Sequence, residues 1–501
     1  MEIELKLLLD DAGMRRLRRA SAFAMARRGT ARSSRLSSIY YDTSSHLLFR
    51  HGMALRVRRD GRNWIQTLKG GGSGIGGLHQ REEYEWPLGD ATLNPDLLAL
   101  TPFSALFSRP RVRRELAPQF STVFHRSSVE LELAQGTHAL LCFDRGTIRA
   151  GVSIEAICEV EIELISGEPS AILDFSRSLL AEVPFRVGMS SKAERGYILA
   201  ARTAPAPQRH AGARLAKEQS GWSGFVACVE SATRQVHANE AGFLQGKDPE
   251  YLHQMRVGLR RLRVALALPR EQAWCAASAP LRARLRELSA QLGEVRNWDM
   301  FFAEVLRPMA VHCGAPAVAG LRARAARHRA RARAGARDLL LAGDYTAVWI
   351  DLALLMNASG DTRAAVDASS LPVLADGSLA RRHAQLLKLG AGKHDGKGLH
   401  ALRITAKKLR YTCDFFAALY PRKKLKRFVA ELVVMQDVLG RVQDAVVCQS
   451  LIAQAAAGRR ELDARNMGLA QGWVAAGEAQ ALAGVERVVK GFHDTGLFWK
   501  T

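Results

Sequence analysis

Two eleven-residue runs, HQMRVGLRRLR from His253 and HALRITAKKLR from His400, lie 147 positions apart, and so do LGEVRN from Leu292 and LGRVQD from Leu439. Two matches at one offset mark an internal duplication, so both copies must build the same structural unit. Within each run apolar residues recur at steps of three and four, the period of an amphipathic helix. The chain from about residue 214 onward is accordingly read as all-α. It holds two copies of one module, each a four-helix bundle, packed about a pseudo-twofold axis.

The first 200 residues follow another period. EIELKLLL, SSIYYDT, ALRVRRD, WIQTLKG, REEYEWPL, VELEL, LLCFDRGTIRAG and ICEVEIELISG alternate charged or polar with apolar residues, as half-buried strands do. Many antiparallel strands at close spacing predict a barrel or sandwich, with helices near 10–22, 169–183 and 191–202. KGGGSGIGG at 69–77 reads as a mobile turn, and it lacks the G-K-[ST] ending of a phosphate-binding loop. ARTAPAPQRHAGA at 201–213 lacks periodicity and reads as a linker. The expected division is a strand domain over 1–204, a linker over 205–214 and a helical domain over 215–501.

The formal net charge of +23 points to a polyanionic partner: nucleic acid, anionic membrane or a phosphate polymer. No apolar run approaches the roughly 18 residues that span a bilayer, and the N-terminus begins in a charged strand, so a cytoplasmic location is expected. The seven cysteines form no C-x-x-C pair, which suggests neither a zinc site nor a disulfide framework.

Both signs of charge recur on the strand faces. Glu2, Glu4 and Lys6 share one face of the first strand, Arg56 and Arg58 another, and Glu159, Glu161 and Glu163 another; Glu83, Lys69, Arg126, Asp144 and Lys192 add charges at or near strand ends. In a barrel these faces can point outward over an ordinary core. They can equally point inward, where Arg and Lys would suit a polyphosphate and carboxylates a divalent cation.

EIELK at 2–6 resembles the E-x-E-x-K signature of the CYTH superfamily of triphosphate tunnel metalloenzymes. LRVR, TLKG, Arg126, FDRG, EVEIEL and SKAERGY follow in family order over residues 1 to about 200. The resemblance implies an eight-stranded antiparallel β tunnel with flanking helices, an α+β domain whose charged faces point inward. It also implies a metal, Mg²⁺ or Mn²⁺, held by Glu2 and Glu4 with Glu161 and Glu163 opposite. Lys6, Arg56, Arg58, Lys69, Arg126 and Lys192 would hold phosphate oxygens. Glu83, Asp144 and Glu159 would bind metal or position water. Glu85, Glu130 and Glu132 have no family counterpart and are expected in solvent.

In the helical half, His253, Arg256, Arg260 and Arg263 share an arc, as do His400, Arg403, Lys407 and Arg410, opposite apolar faces. The half resembles the CHAD domain, which implies inorganic polyphosphate bound in a basic groove, with Arg261, Lys408 and Arg296 included. The family favours R-D-x-D after Leu-Gly. Here the copies read Arg296-Asn297-Trp298-Asp299 and Gln443-Asp444-Ala445-Val446, so unequal contributions are expected. LRARAARHRARARAGAR at 321–337 either extends that groove or is a solvated helix. The resemblance implies hydrolysis of inorganic triphosphate in the tunnel, polyphosphate on the helices and association with polyphosphate granules. Adenylate cyclase, or thiamine or nucleoside triphosphatase, would use the same tunnel. A nucleic-acid scaffold is disfavoured because the basic runs lack interleaved aromatics. Oligomeric state is not legible.

Overall fold

The computed structural model describes residues 1–201, 205–210, 212–357, 361–367, 369–456 and 464–499. They form two compact units: Met1–Ala206 with Leu340–Ala358, and Pro207–Leu339 with Ser359–Thr501.

The first unit is built on nine strands: β1 (Glu2–Leu8), β2 (Arg27–Asp42), β3 (Ala54–Asp60), β4 (Asn63–Ile75), β5 (Leu78–Leu88), β6 (Ala117–Leu133), β7 (Thr137–Ala150), β8 (Ser153–Ser166) and β9 (Arg186–Val187). Hydrogen bonding runs β5-β4-β3-β2-β6-β7-β8-β1 and returns from β1 to β5, closing an eight-stranded antiparallel barrel; β9 adds to β1 at its end. Closure removes every free edge of the eight strands.

Alternation settles which face points where. Leu5, Leu7, Val160 and Ile162 are fully buried on the outside of the wall, where helix α1 (Pro169–Glu182) covers β1 and β8. Each such side chain contributes roughly 1.5–3 kcal/mol, which forces the intervening Glu and Lys residues into the lumen. Helix α2 (Lys192–Ala201) follows β9 and starts with a capping box: the Ser191 amide donates to Glu194 Oε2 at 2.7 Å and the Glu194 amide donates to Ser191 Oγ at 3.1 Å.

The run at 69–77 is not a mobile turn. Lys69–Ile75 belongs to β4, with a register shift between Gly70 and Gly72, and only Gly76 and Gly77 turn the chain. Close approach explains the glycines. A Cβ at Gly70 would lie 2.9 Å from the Phe103 ring, and one at Gly72 would lie 2.8 Å from the Gln80 carbonyl. The expected helix at 10–22 is broken into Asp11–Leu17 and Ser21–Ala26.

The second unit contains α3 (Gly221–Gln245), α4 (Pro249–Ala265), α5 (Gln272–Phe301), α6 (Ala319–Leu341), α7 (Gly343–Asn357), α8 (Leu371–Gly390), α9 (Gly396–Phe415), α10 (Arg422–Ala456), α11 (Ala464–Leu482) and α12 (Val485–His493), except that Leu340–Ala358, and so α7, packs in the first unit. There Thr346 Oγ1 donates to the Phe185 carbonyl at 2.7 Å. The duplicated runs occupy α4 and α9, and the two Leu-Gly motifs lie within α5 and α10. Met255, Leu259 and Leu262 on α4 and Leu402, Ala406 and Leu409 on α9 are buried, as the helical period requires. Among the described residues no single helix is long and apolar enough to cross a membrane.

Candidate active site and basic groove

The barrel encloses a lumen of about 200 Å³. On one side β1 and β8 pair so that Glu4 stands opposite Glu163. Carboxylate oxygens of Glu2, Glu4 and Glu163 lie within 4.8 Å of one another. Lys69 Nζ is 2.5 Å from Glu2 Oε2, and Arg126 Nη1 is 2.7 Å from Glu163 Oε1. Burial, with the carboxylates of Glu161, Glu4 and Glu2, raises the Glu163 pKa against the pull of Arg126. Three carboxylates with oxygen donors only, crowded together and incompletely neutralised, fit a hard divalent cation.

Facing this group is an arc of cations. Arg56 reaches Glu83 at 3.6 Å and Glu85 at 3.9 Å, and Lys69 reaches Glu83 at 3.2 Å. Arg58 donates a long hydrogen bond to Ser38 Oγ at 3.4 Å. Burial, then Arg56 and Arg126 nearby, push its pKa down to about 10, which still leaves it charged at neutral pH. An anion entering the lumen would relieve this crowding of like charges.

A second, buried group, Asp144, Glu159 and Glu161, is already engaged, and of the three Glu161 lines the lumen. Lys6 Nζ lies 2.8 Å from Glu161 and 3.3 Å from Glu159. Lys192 Nζ lies 2.7 Å from Asp144, 2.6 Å from Glu159 and 3.0 Å from Glu161. Arg126 makes a two-pronged bond to Asp144 at 2.8 and 2.7 Å and also pairs with Glu161. Burial opposes charge on Glu161, but Lys192, Lys6 and Arg126 outweigh it and hold the carboxyl well below its usual range. Lys6 and Lys192, expected to hold phosphate oxygens, line the lumen with their ammonium groups paired to carboxylates.

Tyr40, Arg81 and Glu85 also line the lumen. Tyr40 lies beside Arg56 and Arg58, which outweigh burial and lower its pKa. Arg81 shares its strand face with Glu83, so parity along HQREEYEW signals it. Glu85 is exposed, as expected, and its carboxylate also accepts a bond from Thr67 Oγ1 at 3.0 Å. Glu130 and Glu132 are exposed and pair with Arg32 and Arg28.

In the helical unit a groove of about 730 Å³ is lined by α4 (Arg256, Arg260, Arg263) and α9 (Arg403, Lys407, Lys408). Arg282, Arg286, Arg381 and Arg382, which were not singled out from the sequence, extend the lining onto α5 and α8. Arg260 Nε donates to Tyr411 Oη at 3.2 Å, tying α4 to α9. Arg256 Nη1 donates to the Ser289 carbonyl at 2.6 Å, and its guanidinium lies over Gly293, where a Cβ would be 2.8 Å from Nη1.

The copies differ where the motif departs. Asn297 and Asp444 occupy equivalent positions on the groove, and Asp444 lies 3.6 Å from Arg403. His400 Nδ1 pairs with Gln443, while His253 sits near Arg296, its pKa pushed down to about 4 by burial and then by Arg296, with smaller opposed effects from Glu250, Arg260 and Arg256. His253 is therefore neutral at pH 7.

Arg261 and Arg410, expected on the groove, do not line it. Arg261 is buried inside the bundle, bonded to Gln235 and Ser231 of α3. Arg410 turns to Gln436 at 3.2 Å. The basic helix α6 spends Arg329 on Asp299, Arg333 on the Gly246 carbonyl and Arg324 on the Ala455 carbonyl, and none of the three lines the groove.

Comparison with known proteins matches these two sites to two families. The CYTH domain model matches residues 1–197, and the CHAD domain model matches residues 227–453. An inorganic triphosphatase of Haemophilus influenzae is 37% identical over 166 residues, 33% of this chain and 46% of that protein, so the chain spans about half of that relative's length. The crystal structure of the CHAD domain from the plant Ricinus communis superposes with a TM-score of 0.51 at 28% identity, over 58% of this chain and 97% of that one. A putative adenylyl cyclase from Hippeastrum, described as having a dominant triphosphatase activity, matches with a TM-score of 0.28 at 19% identity, over 41% of this chain and 98% of that one. The chain thus carries a CYTH domain at residues 1–197 followed by a CHAD domain at residues 227–453.

Proposed function

We propose that the barrel hydrolyses inorganic triphosphate to pyrophosphate and phosphate with Mg²⁺ or Mn²⁺, and that the helical unit binds inorganic polyphosphate. The carrying observation is that the incompletely neutralised Glu2, Glu4 and Glu163 group shares one lumen with Arg56, Arg58, Lys69 and Arg81. The printed name of the Haemophilus influenzae relative supports the choice of triphosphate.

Phosphoryl transfer depends on positioning and charge neutralisation more than on covalent chemistry. Glu2, Glu4 and Glu163 would hold the cation, which would polarise phosphate oxygens and the attacking water. Arg56, Arg58, Lys69 and Arg81 would bind the remaining oxygens, and Glu83, held between Arg56 and Lys69, would keep those two cations in place. Water adds to the terminal phosphorus, the bridging P–O bond breaks, and pyrophosphate leaves against the arginines.

For the groove, the support is a concave, cation-lined surface of about 730 Å³ in which the one aromatic among the described lining residues, Tyr411, is buried and held by Arg260. A flexible phosphate polymer fits such a surface, and a cytoplasmic location on polyphosphate granules would follow. Purified protein assayed against triphosphate, ATP and thiamine triphosphate with each metal tests the reading. Orthophosphate release should be fastest from triphosphate. Cyclic AMP formed from ATP without orthophosphate would favour the cyclase alternative, and DNA displacing polyphosphate at equal charge would overturn the groove assignment.

A further inference from the structure

The acidic group that lines the lumen and the buried one beside it differ in what already neutralises them. Asp144, Glu159 and Glu161 are within ion-pair distance of four cations: Lys6, Lys192, Arg126 and Arg195. Glu2, Glu4 and Glu163 touch two, Lys69 and Arg126, and both of those are shared with other carboxylates. Each group brings three carboxylate oxygens within 4.8 Å, but Asp144, Glu159 and Glu161 are all buried, whereas Glu2 and Glu163 are half-buried.

We propose that the Lys192 ammonium is a built-in cation that occupies the Asp144, Glu159 and Glu161 group, so that the substrate-free tunnel takes one divalent cation, at Glu2, Glu4 and Glu163, and not two. Among the described residues Lys192 is the one cation that touches all three carboxylates, at 2.6–3.0 Å. It sits at the first position of α2, so its place is set by how that helix is held. Tyr197 Oη donates to the buried Asp42 carboxylate at 2.9 Å, Arg195 grips Glu155 and Glu159 at 2.7 Å each, and the Ser191–Glu194 capping box fixes the first turn.

A second metal ion would have to displace a tethered ammonium from a site with no charge deficit. Like an ion, the ammonium gathers the three carboxylates, but it cannot leave with product. This makes Lys192 a positioning residue: it fixes α2 at the lumen and keeps Glu161 in place beside Arg126.

The inference rests on the metal reading of Glu2, Glu4 and Glu163, and counting bound Mn²⁺ separates the two. Free Mn²⁺ is measured by electron paramagnetic resonance during titration of substrate-free, full-length protein. Wild type should bind one tight Mn²⁺ per chain, and Glu4→Gln should bind none. Lys192→Met should bind two, with the second lost again in Lys192→Met combined with Asp144→Asn. Two ions in wild type, one of them lost in Asp144→Asn, would overturn the inference while leaving the metal reading intact; this arm stands even if the Lys192 variant does not fold. One ion in a folded Lys192→Met would likewise overturn it. No Mn²⁺ bound to wild type would remove the metal assignment and this inference with it.

Discussion

Glu4 and Glu163 are register partners on adjacent antiparallel strands, with their carboxylates turned into the same lumen. Like charges directly opposite one another destabilise a strand pair, and a divalent cation reverses the sign of that interaction. Metal addition should therefore raise the melting temperature of the protein. At a hundredfold excess over the dissociation constant the stabilisation is about 2.7 kcal/mol. In Glu4→Gln the metal-free protein should be no less stable than wild type, because the repulsion is gone. Metal should no longer shift its melting point, and triphosphate hydrolysis should fall by at least about a hundredfold, the scale of losing several kcal/mol of charge stabilisation. Thermal melts with and without Mn²⁺, alongside an orthophosphate assay, check both halves.

The wall of that lumen was legible because a strand's period of two leaves no choice once one face is apolar. Leu5 and Leu7 outside dictate Glu4 and Lys6 inside, and the same parity would have found Arg81 beside Glu83. What parity cannot say is which neighbour a charge meets. Lys6 and Lys192 have the residue type of phosphate ligands, yet their ammonium groups lie against Glu159 and Glu161, which are remote in sequence. Glu85 is exposed as expected, but its partners Thr67 and Arg56 come from other strands and are equally beyond the reach of parity. The run at 69–77 misled because glycine reports close approach as readily as a turn, and the ring that makes the approach at Gly70, Phe103, lies far along the chain. In the helical unit Arg261 is five residues beyond Arg256, about 140° round a helix, so it faces α3 instead of the groove.

The groove and the lumen should fail separately. Arg256 and Arg403 occupy matching places in the duplicated runs and both line the groove. Charge-assisted hydrogen bonds contribute roughly 1.5–3 kcal/mol each. Changing both to alanine should weaken polyphosphate binding by at least about a hundredfold and flatten its salt dependence, while triphosphate turnover stays at the wild-type rate. Fluorescence titration with long-chain polyphosphate and a triphosphatase assay on the same preparation decide the matter. Loss of short-substrate turnover in the double variant would refute the division of labour.

The small residue at 196 should prove as important as the charged ones around it. A Cβ there would lie 2.1 Å from the Phe120 ring. That ring has no room to retreat, because it stacks on Tyr40 with centroids 4.6 Å apart and meets Tyr197 edge-on at 5.0 Å. Gly196→Ala should cost about 1–3 kcal/mol by overpacking and push α2 away from the wall. A lower melting temperature and reduced turnover are expected, with polyphosphate affinity unchanged. An alanine variant as stable and active as wild type would show that α2 is not held against Phe120.

Polyphosphate affinity should fall as pH rises from 6 to 8, and Lys407 is the reason. Burial, then the guanidinium groups of Arg403 and Arg260, push its pKa down to about 7 against the pull of Asp444. The free groove therefore holds a charged Lys407 near pH 6 and a largely neutral one near pH 8. A polyanion favours the charged form, so binding above pH 7 takes up a proton, and one such group changes affinity by at most about tenfold per pH unit. Arg256, lowered to about 9 by burial and by Arg260 and Arg296, keeps its charge over this interval, and His253 remains neutral throughout. Titrations at pH 6, 7 and 8 should show the decline in wild type and its loss in Lys407→Met. Calorimetry in two buffers of different ionisation enthalpy should register the proton taken up at pH 8. An unchanged decline in Lys407→Met would assign the proton to another group in the groove.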